Sequence, residues 1–474
     1  MNRLSRFATT LALVAVVAVP LSAQRGSADF TRFVTLGDSF GIGVTAVGMN
    51  AQFQQFSWPA IIARQVGLDV HCATDGPRCF QIPYVSDPGI PPGLRLVSLS
   101  PLIIDSKPGL GTPLNLALPR PYNNLSVDGA EVSDLIRPVS GDGVEAFNAE
   151  IVHRNLGVIV NQAIALNPTF IAIWIGGNDG FNGVQRGMPS QMTSVADFTR
   201  DYAEMLDRLI AGAPNAGMIV GTLPTNIRLI PYVNVVPPVL VDPNTRQPIL
   251  DPAGNLIPFI ADLGGGVFGQ LPPGSAVLLP STSLLATGYG IPAQLAPLLP
   301  HLPDVGKPLP DSAVLTPAEI AAIEQRLKDF NAAITTAASA RNIPVVDIDA
   351  FLNRAAAGIH LGPIQLDLSF VTGGIISIDG FHLTSLGYAL FANEYIRTIN
   401  RAYGTRIPVA SLPMFFQGND PTSPNLSGMS ELLSLGVPQV TPAAAEAMTG
   451  GTPQPDSTPA PSPARSRAAR GGRG

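Results

Sequence analysis

The sequence predicts an α/β fold in which a mostly parallel sheet is covered by helices on both faces, a three-layer α/β/α sandwich interrupted by long Pro- and Gly-rich insertions. Three observations predict it. The runs Arg32-Phe-Val-Thr-Leu-Gly37, Ile171-Ala-Ile-Trp-Ile175 and Met218-Ile-Val-Gly-Thr222 lack polar alternation, as strands buried on both faces do. Helical patterns lie between them, the alternation that builds parallel sheets. The first two runs end in glycine and small polar residues, at the strand ends where open α/β sheets place their ligands.

The chain starts with Arg3 and Arg6, an apolar run over 7–19 and then Pro20-Leu-Ser-Ala23, which together have the three regions of a signal peptide. Cleavage is expected after Ala23, with Ala28 as the second choice. An uncleaved anchor is the alternative, but the apolar run is short for crossing a bilayer. No cysteine near its end would carry a bacterial lipid anchor. Residues 1–23 therefore predict a protein secreted or exported to the bacterial periplasm, with no stable membrane span after cleavage.

The first strand breaks at Gly37-Asp38-Ser39 and presents a hydroxyl, so Ser39 is the candidate nucleophile. A loop follows, then a helix over about 58–66. Cys72 and Cys79, the only two cysteines, flank a turn-rich loop suited to a disulfide in an oxidising compartment. With His71 they match no common zinc spacing, so no metal is implied. Residues 76–121, rich in Pro and Leu without a clear period, form a long insertion.

Asn124-Leu-Ser-Val-Asp-Gly129-Ala130 places a glycine at a tight turn before a short helical run over 131–136, which would expose the Gly129 N–H. A helical pattern runs over about 143–166. The second strand ends in Gly176-Gly177-Asn178-Asp179, which puts the Asn178 amide at a strand's end. Asp38 and Asp179 are expected to be turn or hydrogen-bonding residues. A helix over about 195–211 leads to the third strand.

From 226 to 310 the pattern dissolves into Pro-, Gly- and Leu-rich sequence with almost no charge. Loops of this length are commonly functional, and the apolar content argues against disorder. One reading is a folded cap beside the active site, whose Val277-Leu-Leu279 and Leu284-Leu285 would suit an acyl chain. The other is a scaffold insert packed on the core away from the crevice. Helical order resumes at the capping box Thr316-Pro317-Ala-Glu319 and runs to about 341. A strand over 344–348 and a variable stretch to 377 follow.

Of the five histidines, His71, His153, His301, His360 and His382, only His382 has an aspartate three residues before it, in the loop Asp379-Gly380-Phe381-His382 just ahead of a helix, whereas His153 follows Glu150 inside a helical pattern. Asp379 can hold one ring nitrogen and fix the tautomer while the other faces the serine. That helix, over about 384–403, stops at Gly404. Beyond 413 the chain becomes a linker and a largely disordered tail to 474, with a few apolar residues over 429–448 that could dock on the domain.

Ser39, Asn178, Asp179 and Asp379 are each ordinary cap or turn residues taken singly. In order, however, Gly37-Asp38-Ser39, Gly129, Gly176-Gly177-Asn178-Asp179 and Asp379-Gly380-Phe381-His382 resemble the four blocks of the SGNH or GDSL hydrolases. Phe40 stands where leucine is commonest in that family. The resemblance covers about 32–403 apart from the two insertions, within a hydrolase domain of 24–412, and implies a flavodoxin-like sheet. It implies that Ser39, His382 and Asp379 form a catalytic triad. It also implies an oxyanion hole made by the N–H groups of Ser39 and Gly129 and the Asn178 amide. The activity it implies is that of an esterase or lipase on a lipid or acylated glycan ester, without a cofactor. An O-acyltransferase would use the same groups, and a non-catalytic binding module is disfavoured by the intact triad.

At 474 residues and 46% hydrophobic content, the chain can bury a large core in one elaborated domain or two. Charged residues make up only 13%, and 47 glycines and 47 prolines predict long irregular loops. The formal net charge is −6, and Arg465, Arg467, Arg470 and Arg473 lie in the tail, so the body is more acidic still. Nothing in that balance favours nucleic acid.

Overall fold

In a computed structural model describing residues 24–72, 74–138, 150–242, 245–415 and 437–449, four strands form a parallel sheet. Phe33–Gly37 pairs with Phe170–Trp174, that strand with Gly217–Gly221, and that one with Val345–Val346. Every residue of the first three is buried, which is why their sequences carry no alternation. The expected signal peptide, the start of the 143–166 helical pattern and most of the tail lie outside the described residues.

A fifth segment, 123–127, runs along the other edge of Phe33–Gly37. Thr35 N donates to Asn123 O at 2.9 Å, Leu125 N to Thr35 O at 2.8 Å and Val127 N to Gly37 O at 3.0 Å. With it the order along the sheet is second, first, third, fourth, fifth in chain sequence, the flavodoxin-like order. The order reverses beside the first strand, so the crevice for a ligand opens at the ends of Phe33–Gly37 and Phe170–Trp174.

Helices Trp58–Gln65, Ile348–Ala357 and Ser385–Tyr403 form one outer layer. Trp58 stacks on Tyr395 at 4.6 Å, and the Tyr395 hydroxyl donates to Ile173 O at 2.9 Å, tying that layer to the sheet. Val132–Ile136, Ile159–Ala165, Val195–Gly212 and Pro317–Ser339 form the other layer, where Phe198 and Phe330 stack at 4.0 Å. Burying each such ring contributes about 2–3 kcal/mol. The Thr316–Glu319 capping box is formed, and Gly404 ends its helix in the left-handed region at φ 67°.

Four expectations change. Only Val345–Val346 of the 344–348 run stays in the sheet. Asp347 accepts from Ala350 N at 2.9 Å and so starts the helix Ile348–Ala357. The aperiodic 76–121 insertion folds as a hairpin of Leu94–Leu99 with Leu102–Ser106. Gln439–Val440 joins that hairpin as a parallel strand, and Pro442–Thr449 follows as a helix that buries Ala444, Ala445 and Met448. Residues 437–449 thus belong to the folded body, the docking that the apolar residues over 429–448 allow, and not to the linker and tail expected over 413–474. Cys72 and Cys79 are joined by a disulfide, with Cα atoms 5.8 Å apart.

The fourth change concerns the 226–310 insertion. Ala276–Val277 pairs with Val314–Leu315, which draws Val277, Leu278 and Leu279 into the core instead of onto a cap surface. The insertion packs directly on the loop bearing Asp379 and His382. Tyr232 N donates to Gly380 O at 3.0 Å, and a Cβ on Gly380 would lie 3.0 Å from Leu279 Cδ2. Among the described residues no helix is long and apolar enough to cross a membrane.

Candidate active site

Ser39 is the first residue of the short helix Ser39–Ile42, directly after the Phe33–Gly37 strand. Asp38 caps that helix, its Oδ1 accepting from Phe40 N at 3.0 Å, so the turn holding Ser39 is fixed from the residue before it. Ser126 packs directly against this turn because residue 41 is glycine: a Cβ there would collide with Ser126. Ser39 is 5% exposed.

His382 Nδ1 lies 2.8 Å from Asp379 Oδ2, and both side chains are buried. Asp379 also accepts from Val47 N at 2.9 Å, Phe381 N at 3.1 Å and His382 N at 3.0 Å. Burial pushes the Asp379 carboxyl up, yet the His382 charge and hydrogen bond and the Val47 and Phe381 N–H groups hold it below its ordinary value. The His382 ring packs against Phe381 at 4.0 Å and Phe40 at 5.4 Å. Its Nε2 has no hydrogen-bond partner, so no hydrogen bond joins it to Ser39 in this structure. Such bonds are often long until substrate arrives.

Val47 reaches Asp379 only because Ala46 and Val47 both adopt left-handed backbone, φ 52° and 57°. That conformation is rare for a β-branched residue and costs on the order of 1–3 kcal/mol. Its compensation is local: Ala46 N donates to Ser377 Oγ at 2.8 Å while Val47 N holds Asp379.

Asn178 lies in the first turn of the helix Gly177–Gln185, which begins from Gly176 at φ 109°. Asn178 Nδ2 donates to Ala130 O at 2.9 Å, which sets it beside Gly129, itself at φ 78°. The Asn178 amide keeps a second N–H donor. Asp38 and Asp179 are both buried. Burial pushes each carboxyl well above its ordinary value, with the charge of Asp128 adding to the first and that of Glu131 to the second.

Ser39, Phe40 and Asn178 border a cleft enclosing about 910 Å³ of empty space, some of it continuous with solvent. Its far walls come from Phe181, Leu223, Ile227, Ile230, Leu352, Leu368, Phe381 and Leu383, with Asn226, Asp349 and Asn353 as polar interruptions. Asp349 is held by Thr225, whose N and Oγ1 donate at 2.7 and 3.0 Å. Gly129, Asp379 and His382 are not part of this lining. Among the described residues no cluster of His, Cys, Asp or Glu could hold a metal ion.

Sequence reasoning missed three contributors: the 45–47 loop, the 223–230 segment and the helix Ile348–Ala357. The second had a signal, since it directly follows the C-terminal end of the buried strand Gly217–Gly221. The other two depend on positive-φ backbone and on a cap at Asp347, which composition does not announce.

A family model described as GDSL-like Lipase/Acylhydrolase matches residues 33–395. No curated protein matches the chain. Similar solved structures include LAE5, an alpha/beta hydrolase from the metagenome of Lake Arreo, Spain. It is 12% identical over 81% of this chain and 98% of that one, with a TM-score of 0.33. A mutant of Axe2, an acetyl-xylooligosaccharide esterase from Geobacillus stearothermophilus, is 12% identical over 79% of this chain and 96% of that one, with a TM-score of 0.33. An extracellular lipase from Streptomyces rimosus is 14% identical over 78% of this chain and 98% of that one, with a TM-score of 0.30.

Proposed function

The chain belongs to the GDSL-like lipase/acylhydrolase family, and within it we propose an exported serine ester hydrolase in which Ser39, His382 and Asp379 act as the triad. The observation that carries this reading is the 2.8 Å contact of His382 Nδ1 with Asp379 Oδ2, which leaves Nε2 as the one ring nitrogen without a partner. A histidine held in that way has its proton on Nδ1 and a lone pair on Nε2, the state a general base needs.

Ser39 Oγ attacks the ester carbonyl as His382 Nε2 takes its proton, and Asp379 stabilises the imidazolium that forms. The N–H groups of Ser39 and Gly129 and the Asn178 amide hold the tetrahedral oxyanion. The imidazolium then protonates the leaving alkoxide, giving an acyl-enzyme on Ser39. Water deprotonated by His382 attacks it and releases the acid. No cofactor enters these steps.

The apolar cleft supports an ester with an apolar acyl chain, lipid-like, over an acylated glycan, because its lining is dominated by side chains such as Phe181, Leu223 and Leu352 and holds few polar groups. The leader at 1–23 would carry the protein out of the cytoplasm. Labelling with a fluorophosphonate tests the nucleophile directly. The reading expects one phosphonyl adduct, mapped to Ser39 by mass spectrometry and lost in Ser39→Ala. An adduct on another serine would overturn it.

A further inference from the structure

Three polar side chains of the helix Gly177–Gln185 grip three consecutive residues of the loop that carries Gly129. Asn178 Nδ2 donates to Ala130 O at 2.9 Å, Asn182 Nδ2 donates to Glu131 Oε1 at 2.9 Å, and Asp179 Oδ2 accepts from Val132 N at 3.0 Å. Asn178 and Asn182 are one turn apart, so the grip spans a full turn of helix. Asp179 is the buried member, 1% exposed.

Burying a carboxyl is costly, and Asp179 offsets that cost through Val132 N–H and the Thr193 side chain. Its value lies in where it pulls. Gly129 has left-handed backbone and no side chain, so nothing of its own holds its N–H in direction. Its neighbours Ala130 to Val132 are instead fastened to the helix that carries Asn178.

We propose that Asp179 is a positioning residue for the oxyanion hole: by holding Val132 N–H it fixes the Gly129 turn against Asn178, with Asn182 as its second anchor. The inference rests on the ester-hydrolase reading. Oxyanion donors stabilise the transition state more than bound substrate, so loosening them lowers kcat and spares KM.

The test uses the full chain with nitrophenyl butyrate as substrate and a trifluoromethyl ketone as transition-state analogue. Asp179→Ala should lose about 10- to 100-fold in kcat, less than the roughly 100- to 1,000-fold that follows outright loss of an oxyanion donor. Its KM should stay within about twofold of the parent. Affinity for the ketone should fall by the same factor as kcat/KM. Asp179→Asn retains an acceptor for Val132 N–H and should restore most of the rate. If Asp179→Ala does not fold, Asn182→Ala carries the test, with a smaller loss of the same kind.

Parent kcat in both folded alanine variants, or a loss confined to KM with ketone affinity unchanged, would overturn the inference while leaving the hydrolase reading intact. Absence of Ser39-dependent turnover in the parent chain would overturn the hydrolase reading and this inference with it.

Discussion

Val47 N–H lies 2.9 Å from Asp379 Oδ2, the same oxygen that His382 Nδ1 meets at 2.8 Å. One carboxylate oxygen therefore joins the loop after Ser39 to the proposed base. With Phe381 N and His382 N on Oδ1, Asp379 is fully engaged and its ring partner has one orientation.

Asp379→Asn tests that orientation. An amide can present its NH2 to Nδ1, which selects the tautomer with the proton on Nε2 and leaves no base facing Ser39. Turnover should fall on the order of a thousandfold or more, with KM little changed. Activity within tenfold of the parent would contradict the assigned role.

The same carboxylate sets a pH dependence of stability. Its value in the folded protein lies below the ordinary 3.8, so its stabilising contribution is present above 3.8 and is lost as pH falls through the folded value. Urea midpoints measured from about pH 5 down to pH 2 should fall more steeply for the parent than for Asp379→Asn. Parallel profiles would show that Asp379 is not the group responsible.

Asp38 has the opposite sign. Burial holds its proton on in the folded state well above 3.8, while the unfolded chain releases it near that value, so its contribution weakens as pH rises from 3.8 toward the folded value. Asp38→Asn keeps an acceptor for Phe40 N and removes this slope, so it should match or exceed parent stability at neutral pH. Asp38→Ala should lose about 1 kcal/mol with the cap and lower turnover as the Ser39 turn loosens. Thermal and urea unfolding of the two variants separate these effects.

Gly380→Ala probes the brace between the 226–310 insertion and the loop bearing Asp379 and His382. Gly380 has φ 85°, and a Cβ there would lie 2.8 Å from Tyr232 N. Both the backbone and the contact oppose alanine, so a loss of about 2 kcal/mol or more is expected. Turnover should fall at temperatures where the variant remains folded. An alanine variant with parent activity and melting temperature would show that the insertion does not brace the loop.

Ser39 and Asn178 were legible as candidates because each sits in a short block at a strand end, where local chemistry and position coincide: Ser39 after Phe33–Gly37, Asn178 after Phe170–Trp174. Asp379 and His382 were legible from their three-residue spacing in a loop ahead of a helix. The central strands were legible from full burial without alternation. The brace was not, since Tyr232 N finds Gly380 O through folding of a segment with no period of its own. Asp347 reads equally well as strand or cap, and only its bond to Ala350 N decides between them. Gln439–Val440 adds to a hairpin formed more than three hundred residues earlier, a pairing no local pattern encodes. The left-handed pair Ala46 and Val47 runs against residue preference, which is where sequence reasoning is expected to fail at a functional loop.

The most direct measurement is hydrolysis of nitrophenyl esters from acetate to palmitate by residues 24–474, beside Ser39→Ala. The account predicts Ser39-dependent release of the acid, loss of one triad member costing on the order of a thousandfold or more. It also predicts a preference for chains longer than acetate, set by the cleft behind Phe181 and Leu223. Equal rates in Ser39→Ala and the parent, or no turnover of any ester, would contradict it.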